Sequence, residues 1–256
     1  MSATAERSLE RTTHQQPATD TRKAWAARWR RAAAEGLGTF FLVLMGPGAV
    51  MVDANTQGAL GPAGIALAFA FVVLAMVAAL GHISGAHINP AVTIAFWSVR
   101  RFPGREVPMY VAAQCAGAIA AAAVLHWLLR DVGASGATLP HIGVARGFAV
   151  EWLFSFVLML VIMAVATDER VADGLAAVAV GLTVGCCALL GPLTGASMNP
   201  ARSLGPAVAS GEWRAHWLYW LAPVTAMVAA ARVYDVLRHT TPPPHPQMTG
   251  IQGQIG

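Results

Sequence analysis

Between about residues 33 and 237 long apolar runs alternate with short polar breaks. Six runs, roughly 33–52, 60–80, 107–129, 147–166, 174–193 and 215–237, have the length of bilayer-crossing helices; such a helix takes about 20 apolar residues. The breaks hold turn formers and charges: Asp53 to Asn55, Arg100 to Gly104, Arg130 through His141, Asp168 to Arg170, and Gly211 to Arg214. Two further apolar runs begin at Asn89-Pro90 and Asn199-Pro200. Asn is a strong helix N-cap, and Pro is favoured at the first helical position because its missing N–H would be unpaired there anyway. Both dipeptides therefore read as helix starts. At roughly ten residues, each following helix is too short to span a bilayer. The pattern predicts an all-α membrane protein with six transmembrane helices plus two re-entrant half-helices.

The flanks are of another kind. Residues 1 to 32 are polar and Arg-containing, without the apolar core of a secretory signal. They read as a flexible cytosolic tail ending in a basic anchor at Arg28, Arg30 and Arg31. Residues 238 to 256 are rich in Pro and Gly and read as a second disordered tail. The apolar body, 33–237, forms one domain on this reading. Only 12% of the 256 residues are charged, about half the share in a soluble protein. The net charge of +4 does not point to nucleic acid, because the basic residues flank apolar runs. Placing both termini in the cytosol puts thirteen of the seventeen Lys and Arg inside and three (Arg130, Arg146, Arg214) outside. That is the asymmetry cytoplasmic loops carry. The three cysteines, Cys115, Cys186 and Cys187, lie in apolar runs and show neither metal spacing nor a disulfide framework. No cofactor motif is visible.

The chain repeats itself. Shifting by 110 positions lays Gly81, Ser84, Gly85, Ala86, Asn89, Pro90 and Ala91 on Gly191, Thr194, Gly195, Ala196, Asn199, Pro200 and Ala201. At nearby offsets Glu35 answers Glu151 and Tyr110 answers Tyr219. Each half, 33–129 and 147–237, carries three spans and one half-helix. Three is odd, so the second half enters the membrane upside down. Inverted repeats place their site near the midplane, where broken helices meet.

Non-helical backbone at that depth must be buried in protein or line a wet cavity. The segments His82–Ile88 and Leu193–Met198 are expected to be non-helical. Carbonyls of Gly85, Ala86, His87, Gly195 and Ser197 are expected to line the path. Each capping Asn uses its side-chain oxygen on its own helix, which leaves the amide N–H of Asn89 and Asn199 to donate into the lumen. Such an arrangement suits a small neutral hydroxylated molecule. Each half-helix N-terminus carries about +0.5 charge, so the pair repels cations and opposes proton passage. Arg202 lies three residues past Asn199, where a cation is unfavourable by about 0.3–1 kcal/mol. An Arg inside a membrane segment faces a cavity, and its counterpart, Val92, is apolar.

The stretches SGAHINPAV and GASMNPARSLGPA, in two inverted halves, resemble the aquaporin (major intrinsic protein) family over roughly residues 33 to 237. The segment from Gly81 to Gly117 is most similar to the nodulin-like intrinsic proteins and their bacterial relatives. The resemblance implies a homotetramer with one pore per subunit, in the plasma membrane. It implies that Glu35 and Glu151 are buried carboxylates holding the pore loops through backbone N–H groups. It also implies an outer filter at Phe69, Cys187, Ala196 and Arg202. Water-selective members usually carry His where this chain has Cys187. With Cys187 and Ala196 both small, the filter is expected to be wide and apolar, passing glycerol, urea or neutral metalloid hydroxides such as arsenous acid as well as water. Ser203 and Tyr219-Trp220 resemble water channels instead, so a water-selective aquaporin is the alternative.

Other residues have plainer readings. His82 and His87 flank the first Ser-Gly-Ala at the cytoplasmic mouth, where a loop His is more often structural than a gate. His126 and His216 have no evident partner. Most of the tryptophans lie near span ends and read as an interfacial belt. A secondary transporter, the remote alternative, would need a coupling site, and beyond Glu35, Glu151 and Arg202 the spans offer almost no ionisable groups. A membrane hydrolase at Ser84 or Ser197 lacks the G-x-S-x-G turn, so the chain is not read as an enzyme. A non-conducting junction protein is opposed by the retained Asn, Arg and small-residue loops.

Overall fold

The computed structural model describes residues 16–130, 132–167, 171–172 and 174–239, and the side chains of 22–130, 132–167, 171–172 and 174–238. Its helices are α1 (Gln16–Asn55), α2 (Gly61–Ser84), α3 (Pro90–Ser98), α4 (Val107–Leu129), α5 (Val144–Ala166), α6 (Leu175–Leu189), α7 (Pro200–Ser210) and α8 (Leu218–His239). Short 3₁₀ turns at Gly104–Glu106, Gly133–Gly136 and Gly191–Leu193 join them. Among the described residues, five helices are long and apolar enough to cross a membrane; α6, with 15 residues, is shorter. The protein is a multi-pass membrane protein of aquaporin-like fold. Large apolar side chains such as Leu67, Phe71, Leu153 and Leu182 are exposed on the outer surface, as lipid contact allows.

The two halves pack alike. α1 lies on α2 and α4, α5 lies on α6 and α8, and α2 on α6 joins the halves. α3 packs against α8 of the other half, and α7 against α4. Each half-helix thus crosses the repeat boundary. Lipid gives no hydrophobic drive between helices, so close backbone approach must hold them together. Gly117 supplies it: a Cβ there would sit 2.1 Å from the Gly36 carbonyl oxygen. Gly205 does the same for α7, where a Cβ would sit 2.4 Å from the Ala118 carbonyl oxygen.

Several boundaries differ from the sequence reading. Residues 16–32, expected as tail, are helical; residues 1–15 and 240–256 lie outside the described residues. At 1.5 Å per residue α1 is about 60 Å long, twice the hydrocarbon thickness. Its first part therefore projects beyond the bilayer. There Arg31 Nη2 donates to Glu106 Oε1 at 2.9 Å, and Arg28 stands 3.9 Å from the same oxygen. This buried carboxylate pins the projecting helix to the Gly104–Glu106 turn. The breaks at Asp131 and Asp168–Arg170 also fall on residues not described.

α2 continues through His82, Ile83 and Ser84, which were expected to be loop. Gly85 ends it in the left-handed conformation (φ 89°), its N–H bonding the Gly81 carbonyl at 2.9 Å. The second half breaks earlier, at Leu189, and Leu193 lies in a 3₁₀ turn. Pro192 stands where the first half has His82; it lacks the N–H that would bond back along the helix and disfavours helical backbone at the residue before it. His82 is accordingly an exposed helical residue.

Gly117→Ala is expected to lower thermal stability by about 1–3 kcal/mol, because the added methyl has only rigid backbone to displace. Thermal unfolding in detergent checks this. An unchanged midpoint would show that α1 and α4 are free to separate.

Candidate functional site

Asn89 and Asn199 sit in extended backbone (φ −158° and −150°) and cap α3 and α7. Asn89 Oδ1 accepts from the Ala91 N–H at 2.9 Å; Asn199 Oδ1 accepts from those of Ala201 and Arg202 at 3.0 and 3.3 Å. The amides were expected to be free for the lumen, but one N–H of each is spent across the repeat boundary. Asn89 Nδ2 donates to the Met198 carbonyl, and Asn199 Nδ2 to the Ile88 carbonyl, both at 2.8 Å. This reciprocal pair brings the two half-helix starts together. One amide hydrogen per Asn remains for a solute.

The preceding loops are strained and buried. Ala86, Ile88, Ala196 and Met198 have φ of 44°, 43°, 42° and 53°, a region that costs a non-Gly residue about 1–3 kcal/mol. Two carboxylates offset this. Glu35 Oε1 accepts from the His87 N–H at 2.9 Å and the Ser84 hydroxyl at 2.7 Å; Oε2 accepts from the Ile88 N–H at 2.6 Å and Gln114 Nε2 at 2.8 Å. Glu151 repeats the pattern: Oε1 with Ser197 N–H at 2.9 Å and Thr194 hydroxyl at 2.7 Å, Oε2 with Met198 N–H at 2.9 Å. Both are wholly buried. Tyr110 and Tyr219 complete the symmetry by donating to the Ser84 and Thr194 carbonyls at 2.9 and 2.8 Å.

Two cavities meet at this centre. The first, a path of about 90 Å³, runs past the loop residues Gly85–Asn89 and Ala196–Asn199 on one side. The other side is apolar, with Leu158, Ile162, Val180 and Val184 among its residues. At roughly 10–15 Å³ per water, it has room for about six to nine waters. The second cavity, about 250 Å³, contains Asp53, His141 and Gly195 in its wall. Phe69 and Arg202 belong to both. The Arg202 guanidinium carbon lies 5.1 Å from the Phe69 ring centre. Gly46 makes room for that ring, since a Cβ there would sit 2.2 Å from it.

Arg202 is buried, with Nη1 donating to the Gly136 carbonyl at 2.9 Å. Its Nε has no protein acceptor, so a donor is left at the junction of the cavities. The cation's position in the first turn of α7 is unfavourable; attraction to Glu151 and the Phe69 face offset it. Of the four expected filter positions, Phe69, Ala196 and Arg202 border the cavities. Cys187 does not; it is buried on α6 between Val184, which borders the first, and Ala188, which borders the second.

Several contributors were missed in the sequence. Thr93 Oγ1 lies 3.1 Å from His87 Nδ1 and accepts from Gln114 Nε2 at 3.0 Å. The position 110 further on, Ser203, bonds Ser197 Oγ and accepts from Thr138 Oγ1 at 2.9 Å. The 110-residue shift lays Thr93 on Ser203, so that signal was present. Thr138 and Gly136 come from a loop with no repeat counterpart. His87 stacks on Phe96 (centroids 4.9 Å apart), meets Phe102 edge-on and lies tilted against Tyr110. Ser84 and Ser197 spend their hydroxyls on Glu35 and on the Asn199 carbonyl. His216 does have a partner: its Nε2 accepts from Trp220 Nε1 at 3.2 Å, and burial lowers its pKa, which suits the neutral acceptor.

The Major intrinsic protein family description matches residues 22–234. The chain belongs to this family, the aquaporins. It is 46% identical over 217 residues to Aquaporin NIP1-1 of Oryza sativa subsp. japonica, covering 84% of this chain and 76% of that one. It is 43% identical to Nodulin-26 of Glycine max, covering 84% and 80%. The X-ray structure of the aquaglyceroporin from Plasmodium falciparum superposes with a TM-score of 0.73 at 27% identity, covering 81% and 96%. As an aquaporin, the protein is a membrane channel for water and small solutes, and its relatives are channels, not enzymes.

Glu151→Ala is expected to cost about 2–6 kcal/mol, because two buried N–H groups lose their acceptor at about 1–3 kcal/mol each. Glu151→Gln retains one acceptor oxygen and falls between it and wild type. Thermal unfolding of the three proteins tests this order. Equal midpoints for wild type and Glu151→Ala would remove the carboxylate from the loop-holding role.

Proposed function

We propose that the pore passes water together with neutral solutes of glycerol size, urea, and neutral metalloid hydroxides such as arsenous acid, while excluding protons and ions. The observation that carries this reading is the junction of the cavities at Phe69 and Arg202. The neighbouring wall contributes the small Ala196, with Cys187 one step behind. A small, apolar wall leaves width for a carbon skeleton against Phe69. Arg202 and the remaining amide hydrogens of Asn89 and Asn199 supply donors for hydroxyl groups. Carbonyls of Gly85, Ala86, His87, Gly195 and Ser197 supply acceptors along the same side. The apolar side replaces no hydration, so an ion would be stripped without compensation. Arg202 and the two half-helix N-termini add a positive barrier.

The water-selective reading draws on Ser203 and Tyr219-Trp220. In the structure these side chains hold Thr138, the Thr194 carbonyl and His216. They are occupied in packing the outer half and border neither cavity, so they weigh less on solute size than the filter does. A secondary transporter would need a coupling site beyond the charges already engaged in the loops. The channel unit is assigned to residues 33–237, with both termini cytoplasmic, four copies per assembly and a plasma-membrane location. The Lys/Arg asymmetry and the family support these assignments.

Light-scattering stopped flow on proteoliposomes separates the readings. Water, glycerol and arsenous acid should all pass, without saturation and independently of ion gradients. Water flux alone would establish the water-selective reading, and gradient-coupled saturable flux the transporter. Cys187→His should suppress glycerol at least several-fold more than water, since the larger ring fills the filter; a methylene-scale misfit already discriminates by about 10–200-fold. Equal loss of both would show that Cys187 does not set the filter width.

A further inference from the structure

Away from the pore, a groove of about 340 Å³ opens on the outer face of the bundle between α4 and α7. It exists because α7 is short. Gly211 ends that helix in the left-handed conformation (φ 73°), its N–H bonding the Ala207 carbonyl at 2.9 Å. Beyond this point α4 runs on without a neighbour from α7. The floor stays open because Ala123 and Ala209 are small, with Ile119 and Val208 beside them. His126, Trp127 and Arg130 form the far end.

The groove is graded along its length. Ile119, Ala123 and Trp127 follow one helical stripe at intervals of four, and His126 and Arg130 follow the next. From Ile119 to Arg130 the rise is about 16 Å, roughly half the 30 Å hydrocarbon thickness of a bilayer. One end is purely apolar. The other presents a guanidinium and N–H donors at the depth where Trp and snorkelling Arg meet headgroups. Trp127 is 74% exposed. Arg130, also exposed, caps α4 in an unusual conformation (φ 63°, ψ −157°). Among the described residues, no protein acceptor meets its guanidinium or the Trp127 indole N–H. None of these residues borders the water path.

We infer that this groove binds one glycerophospholipid from the leaflet on the side of Arg130. An acyl chain lies on Ala123, Ile119 and Val208, and the headgroup phosphate accepts from Arg130, Trp127 and His126. A cation above a narrow apolar slot of one leaflet's depth complements a molecule with an anion above a hydrocarbon chain. A protein partner would have to bring both features on one thin ridge.

Native mass spectrometry of the full-length protein, released from detergent and titrated with phosphatidylglycerol, tests the site. Arg130→Gln removes the phosphate contact, and Ala123→Leu fills the slot. Both positions are exposed and far from the pore path, so proteoliposome water flux serves as the control for folding. Wild type should retain one lipid per chain. Each variant should weaken retention roughly tenfold, about the worth of one charge-assisted contact or its steric equivalent. Equal retention in all three proteins overturns the site. Loss in Arg130→Gln alone overturns the groove and leaves only surface charge. A change of oligomeric mass in Ala123→Leu with lipid retention intact assigns the groove to a second copy of the chain.

Discussion

The structure depends on two carboxylates buried where a bilayer has no water. The pore needs irregular backbone at membrane depth, and irregular backbone there exposes N–H groups that hydrocarbon cannot satisfy. Glu35 and Glu151 take up those N–H groups in pairs, at His87 and Ile88 and at Ser197 and Met198. A buried carboxylate without donors would itself be costly. Each strained loop and its carboxylate therefore stabilise one another. The Asn89–Met198 and Asn199–Ile88 bonds then lock the two loops into one unit. With the loops fixed, the remaining amide hydrogens and the cavity-lining backbone hold their positions without further reorganisation.

The same constraint decides which side of the path can be polar. Loop backbone occurs only where Gly85–Asn89 and Ala196–Asn199 run, so hydrogen-bonding groups gather on that side. Spanning helices form the opposite side, their backbone groups already paired, and they contribute Leu158, Ile162, Val180 and Val184. A passing molecule finds partners on one face and none on the other. The one-sided character is a consequence of inserting two half-helices into a six-helix bundle, and it does not require a dedicated set of polar side chains.

Much of this was legible. The two Asn-Pro starts, the six apolar runs and the 110-residue shift are local or periodic signals, and they predict the inverted bundle and the meeting of the half-helices. Arg202 was legible because a charge in an apolar segment demands a cavity. Other features depend on contacts between distant segments. Gly46 matters because Phe69 from α2 lies against it, and Gly136 because its carbonyl faces Arg202. Neither has a pattern around it. The use of Asn amides across the boundary was missed because a cap is read from its own helix, whereas the amide is shared with the opposite one. The continuation of α2 to Ser84 turned on His82 standing where the second half has Pro192. The projecting part of α1 escaped notice because its Arg-rich sequence resembles a tail until Glu106, 75 residues from Arg31, supplies a partner.

The departures from symmetry concentrate on one side of the centre. Arg202 replaces the apolar Val92, Ser197 replaces His87, Pro192 replaces His82, and the Gly133–Thr138 loop enters only beside the second half-helix. The loop-holding bonds, by contrast, repeat almost atom for atom. The repeated contacts are those the membrane imposes on any such loop, so both halves must keep them. The unrepeated ones surround the junction of the cavities, where Phe69 and Arg202 face each other. A twofold scaffold thus carries a one-sided filter. Solute choice can change there through small side chains such as Ala196 without disturbing the carboxylates that keep the pore open.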